Sequence, residues 1–216
     1  MILSTKHKFI FWHVPKAAGT SVRDRLEPLG LVLDNLFGHD WLARYPSPRD
    51  WRHINQEDFR QEIAVTGIQT RNYKEIAFVR NPYHRAVSLY NFSKYHPRQD
   101  RVGRPWNSTP DHTFDQYFEN EMSRTDMAWT SLPQTHWTEN PLNAAGVKVF
   151  KVENLPVAWN ELQEYIGVKL LPLDRYNVTA EISPYELMTI DQLTQQQRDQ
   201  IYEYYRSDFE AFDYQR

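Results

Sequence analysis

Residues 8–22 read KFIFWHVPKAAGTSV, and this stretch decides the fold. Lys8 to His13 crowds two phenylalanines, an isoleucine and a tryptophan into six positions without polar alternation, the pattern of a strand buried on both faces. Pro15 ends the run, the small residues Ala17, Ala18 and Gly19 come next, and Thr20 to Leu26 reads as the first turns of a helix. A strand, a loop of small residues and a helix in that order offer an anion unpaired backbone N–H groups and the positive end of a helix dipole. Lys16 adds a point charge, and Thr20 and Ser21 add hydroxyl donors. The pattern is not that of the triphosphatase loop, because no glycine precedes Lys16 at the required spacing. Alone, the stretch also suits a purely structural strand–helix turn.

Outward from this loop, strand and helix patterns alternate. Asn55 with Asp58 caps a helix through Ala64, Glu75 to Val79 is a second buried strand, and Asn81-Pro82 breaks it ahead of a helix over Tyr83 to Tyr95. Pro97 to Pro110 reads as a long loop, and Thr113 with Gln116 opens a further helix by a capping box. Val147 to Val152 is a third strand. Asn154 caps the next helix, which Gly167 ends and which carries Trp159, Leu162 and Ile166 on one face. Thr194 with Gln197 starts the last helix, running into Tyr204, Tyr205 and Phe209. The alternation predicts an α/β fold: one three-layer domain over residues 1–216, a central parallel sheet with helices on both faces, and a phosphate-binding loop after the first strand. Functional loops then lie at the carboxyl ends of the strands.

A second chemical segment is FVRNPYHRAVSLYNF, residues 78–92. Arg80 leaves the end of a strand, and Ser88 lies eight residues on, about two turns into the next helix. One guanidinium and one hydroxyl can bracket a phosphate, the guanidinium by its fork geometry; the plainer reading makes Arg80 and Arg85 surface cations. Charge is uneven along the chain: residues 1–110 hold 17 Lys and Arg against 10 Asp and Glu, residues 111–216 hold 8 against 18. A basic half suits an anionic ligand, although chance patterning of solvated surface produces the same asymmetry. With no cysteine, disulfides and thiolate metal sites are excluded. No apolar run approaches the ~20 residues needed to span a bilayer, and the start lacks signal-peptide character, so a cytoplasmic location is the default expectation.

The two segments together resemble the 5′-phosphosulfate loop and the 3′-phosphate motif of the sulfotransferase superfamily, in the branch of carbohydrate sulfotransferases and their bacterial relatives. That branch carries H-[IV]-P-K-x-x-G-T-S and F-V-R-[ND]-P-x-x-R-x-x-S-x-Y. The likeness extends to HINQEDFRQEI from His53, VFKVENL at 149–155, Asn177 with Thr179, and YYRSDFEAFDY at 204–214. His84 stands where relatives often carry an acid.

The resemblance implies a donor, 3′-phosphoadenosine-5′-phosphosulfate, its product adenosine 3′,5′-bisphosphate, no metal, and transfer to an acceptor hydroxyl on a carbohydrate or small molecule. The sequence itself leads us to expect no nucleic-acid partner and no membrane span, the latter unlike the Golgi members of the branch. It assigns Lys16 to the bridging oxygen of the leaving group, the backbone and hydroxyls of Ala17, Ala18, Gly19, Thr20 and Ser21 to the 5′-phosphate, and Arg80 with Ser88 to the 3′-phosphate. An acceptor hydroxyl benefits from a general base; His53 is the first candidate, from its matching segment, and His39, beside Asp40, is the second. Two rival readings are a nucleotide-dependent kinase or P-loop triphosphatase, and a nucleotide-binding module without turnover. The first lacks the Gly-Lys-Ser/Thr order and a strand-end Asp for Mg²⁺; the second has no need of Lys16 or His53.

Overall fold

The computed structural model describes residues 1–32, 54–95, 112–123, 130–173 and 186–216. Within them the chain divides into two compact units, Met1–Arg80 with Gln134–Tyr176, and Asn81–Pro133 with Asn177–Arg216.

The first unit holds β1 (Ile2–Ser4), β2 (Phe9–Trp12), β3 (Leu31–Val32), β4 (Lys74–Val79) and β5 (Val147–Lys151), in the sheet order β3-β1-β2-β4-β5. β2, β4 and β5 run parallel, with Phe11 opposite Ile76 and Phe78 opposite Phe150. β1 is antiparallel to both β2 and β3. These two short strands are additions to the expected parallel core, too brief for their two or three residues to declare a period. The loop expected to bind phosphate therefore comes after the first parallel strand, which is the second strand of the chain.

Both faces of this sheet are covered, and the period-two alternation of strand side chains decides by what. On one face Phe9, Phe11, Ile76, Phe78 and Phe150 pack with Val22 and Leu26 of α1 (Gly19–Leu26). Trp159, Leu162 and Ile166 of α5 (Leu155–Ile166) complete that cluster. Each fully buried aromatic or aliphatic side chain here contributes about 1.5–3 kcal/mol. On the other face Trp12 meets Phe59 of α2 (Gln56–Ile63) edge-on, ring centroids 5.4 Å apart.

Helix boundaries obey their caps. Asn55 accepts from the Asp58 N–H at 2.8 Å, and Gly167 at φ 73° closes α5 in the left-handed conformation that favours glycine. Asn154 differs from expectation. A 3-10 turn over Val152–Asn154 runs into α5, so its backbone is not extended and its side chain makes no capping bond.

The second unit is helical: α3 (Pro82–Tyr95), α4 (Phe114–Ser123), α6 (Gln195–Tyr204) and α7 (Arg206–Ala211). Its core joins Tyr83, Val87 and Tyr90 to Phe114, Phe118, Ile201, Tyr205 and Phe209. The single closing helix expected from the sequence is broken at Tyr205, where φ is −104° and ψ 24°. There the Tyr205 side chain is buried and its hydroxyl donates to the Ser131 carbonyl at 2.8 Å. Arg85 is no surface cation: it is 0% exposed. Its Nη2 donates to the Thr130 carbonyl at 2.9 Å and its guanidinium lies 5.4 Å from the Tyr205 ring centre.

Glu75 is the corresponding buried charge of the first unit, 0% exposed on the α2 face of β4. One carboxylate oxygen accepts from Trp12 Nε1 at 3.1 Å. The other accepts from the Leu142 N–H at 2.7 Å, the Asn143 N–H at 3.1 Å and Asn143 Nδ2 at 2.9 Å. Burial pushes its pKa above the usual carboxylate value, against the lowering effect of these donors and of Arg60. A raised folded-state pKa means the folded protein holds this proton more tightly than the unfolded chain does. Stability from Glu75 is therefore full below about pH 4.5 and falls as pH rises through the raised value. In urea titrations stepped from pH 4 to pH 8, Glu75→Gln should flatten that decline; an unchanged slope would place the titrating group elsewhere.

Candidate functional site

The site is built at the carboxyl edge of two neighbouring parallel strands. β2 pairs directly with β4, Trp12 opposite Ala77, so the loop after β2 and Arg80 after β4 leave the sheet side by side. The structure thereby brings Lys16 to Ser21 and Arg80 to one edge of one unit. Ser88 lies half-buried on α3, in the second unit. The candidate bases His53 and His39 lie outside the described residues, as do Asn177 and Thr179.

The loop's backbone is unusual at two non-glycine positions. Lys16 has φ 61° and Ala18 φ 55°, both left-handed, which costs an L-residue about 1–2 kcal/mol each. Left-handed residues set into a tight turn point successive N–H groups into one concavity, a backbone anion cradle. Ala18 is also the N-cap of α1, and having no side-chain oxygen it leaves the first N–H groups of the helix without a side-chain cap. No acidic residue occupies the helix's first turn, while Arg23 and Arg25 occupy its last. A left-handed turn, a helix N-terminus and a lysine within one loop supply the chemistry that suits a phosphate.

Gly19 is needed for space. It is already helical, and a Cβ built on it falls 1.9 Å from His13 Cδ2 and 2.0 Å from Nε2. His13 is itself buried and stacks on Phe11, with ring centroids 5.9 Å apart. The imidazole therefore sits on the start of α1 and fixes how closely that helix approaches the strand end.

Arg80 is held by its backbone. Its N–H donates to Gln134 Oε1 at 2.9 Å and its carbonyl accepts from Gln134 Nε2 at 2.8 Å. Gln134 opens a 3-10 turn over Gln134–Trp137. The Trp137 carbonyl accepts from Gln56 Nε2, and His136 Nε2 lies 2.9 Å from Asn55 Nδ2. The chain immediately after His53 is thus tied to the turn that clamps Arg80. Gln134 carries no sequence signal, because an isolated Gln in PQTHW belongs to no periodicity and no motif.

A Ser–His pair equally invisible in the sequence joins Ser93 Oγ and His112 Nε2 at 3.0 Å in the second unit. The Ser93 hydroxyl proton goes to the Tyr90 carbonyl at 2.6 Å, so its oxygen accepts from the imidazole and is not activated as a nucleophile. Among the described residues no group of three or more His, Cys, Asp or Glu is arranged to hold a metal ion. Nor is any helix among them long and apolar enough to cross a membrane.

Comparison with known proteins gives a match to the family model described as the sulfotransferase family, over residues 1–215. No curated protein and no solved structure gives a significant match.

Adjacent substitutions in the loop should have opposite signs. Ala18→Gly relieves a left-handed alanine and should raise the unfolding free energy by about 1 kcal/mol. Gly19→Ala forces the buried His13 ring to move and should lower it by about 1–3 kcal/mol. Thermal denaturation of both variants measures this; the same sign for both would contradict the assigned roles.

Proposed function

Because the chain belongs to the sulfotransferase family, we propose that it transfers a sulfuryl group from 3′-phosphoadenosine-5′-phosphosulfate to an acceptor hydroxyl. The observation that supports this reading best is the left-handed, uncapped loop at Lys16 to Ser21, set beside Arg80 on neighbouring strands. The donor supplies an activated sulfuryl group on a phosphate leaving group. The chain's own residues supply position and charge.

The N–H groups from Ala17 to Ser21, with the Thr20 and Ser21 hydroxyls, hold the 5′-phosphate. Lys16 offsets the charge that gathers on the bridging oxygen as the bond to sulfur breaks, an interaction stronger in the transition state than before it. Arg80 and Ser88, from one continuous strand–helix segment, are assigned to the 3′-phosphate, which distinguishes this donor from ATP. His53 takes the acceptor's proton, with His39 as the second candidate. The acceptor is a carbohydrate or another small hydroxyl compound.

Two experiments test this. Adenosine 3′,5′-bisphosphate should raise the melting temperature without added Mg²⁺, whereas Mg-ATP alone doing so would favour a kinase. Lys16→Ala should lower turnover by roughly 10²-fold or more, the range for losing one transition-state stabiliser, and weaken bisphosphate binding by less. Near-normal turnover in that variant would remove Lys16 from its role.

The base is tested by paired substitutions. His53→Ala and His53→Gln should each lower turnover by roughly 10²-fold with nucleotide binding intact, and the same changes at His39 should do little. Loss at His39 with none at His53 would transfer the assignment.

A further inference from the structure

We propose that Gln134 is the positioning residue for Arg80: its buried amide fixes the Arg80 backbone so that the guanidinium is pre-aimed at the 3′-phosphate. The proposal rests on the sulfotransferase reading, in which Arg80 binds that phosphate.

The ladder between β4 and β5 ends at Val79, opposite Lys151. One residue later the Arg80 peptide groups have passed the last register pair of that ladder, while Pro82 already starts α3. A chain left there without backbone partners swings about φ and ψ, and a long side chain amplifies each degree of swing. Gln134 supplies the missing partner. A primary amide carries one acceptor and two donors in a plane, so it offers the Arg80 N–H and C=O what a neighbouring strand would, at 2.9 and 2.8 Å.

The amide is itself well fixed. Gln134 is 0% exposed, and Trp137, three residues on, is equally buried. The turn that carries both continues into a Thr138 N–H to Thr135 carbonyl bond at 2.9 Å and is tied to α2 through Gln56. A rigid support behind a ligand-binding side chain limits the ordering that binding must impose, which raises affinity without adding a contact.

The test is titration calorimetry with adenosine 3′,5′-bisphosphate and adenosine 5′-phosphate on the wild type, Arg80→Ala, Gln134→Ala, Gln134→Glu and the Arg80→Ala/Gln134→Ala double variant. Gln134→Glu keeps the shape and replaces the donor facing the Arg80 carbonyl with an acceptor. Both Gln134 variants should weaken the bisphosphate about tenfold or more and the monophosphate less than about twofold. In the double variant the effect should not exceed that of Arg80→Ala alone, because the amide acts only through Arg80. Equal weakening of both ligands, additivity in the double variant, or no weakening would overturn the proposal. Loss of the fold in both single Gln134 variants, by circular dichroism, would assign Gln134 to stability alone and overturn it equally. A wild type that binds the two ligands alike would instead overturn the parent reading, and this inference with it.

Discussion

The chain must pass from the end of a buried strand to the start of a helix between Trp12 and Gly19, and the site depends on how that reversal is made. The strand end is anchored by aromatic packing on both faces of β2, so the turn cannot relax by sliding the strand. The helix start is set by the His13 imidazole lying on Gly19. With both ends fixed, the conformational cost falls on the residues between them. It falls at Lys16 and Ala18, neither of which is the residue type that tolerates a left-handed backbone most cheaply. A glycine at either position would relieve the turn and also loosen it. Strain held in place by a packed surround is the usual state of a site whose geometry matters more than its local stability.

Buried polar groups complete the frame, and amides recur among them. Asn91 pairs with the Met188 N–H at 3.0 Å and its carbonyl at 2.8 Å in the second unit, as Gln134 pairs with Arg80 in the first. Asn143 divides its Nδ2 between the Tyr73 carbonyl at 2.7 Å and Glu75 at 2.9 Å. Each lets backbone depart from regular structure without orphaning its polar groups, which inside a protein would cost about 1–3 kcal/mol apiece. A side-chain amide does this without a further strand, so the surrounding loop keeps its own path.

Much of this fold is legible in the sequence wherever the signal is local and periodic. The apolar run Phe9–Trp12, the Asn55 and Thr194 caps and the Gly167 stop all lie where their residue types imply. What stays hidden is set by tertiary contacts. Ile2–Ser4 is a strand because β2 and β3 flank it, and three residues cannot announce that. Arg85 resembles any helical cation until its burial beside Tyr205 and Thr130 is seen. Gly19 has the look of a phosphate-approach glycine, and only the structure reveals the imidazole it accommodates. Of the proposed anion-binding set, Lys16 to Ser21 and Arg80 share a sheet edge because β2 and β4 are neighbours, a pairing that alternation implies and no single motif states.

The two ends of the β2–β4 pair carry different polar groups. Glu75, near the amino end of β4, is sealed among four N–H donors. After the carboxyl end of the same pair of strands come Arg80, Lys16 and a helix start with no acidic residue in its first turn. An aspartate or glutamate early in α1 would stabilise the helix start by about 0.3–1 kcal/mol, and none is present. Ala18, left-handed and without a side-chain oxygen, gives that start no side-chain cap either. The anionic donor proposed above would supply to this helix start the negative charge that its first turn lacks.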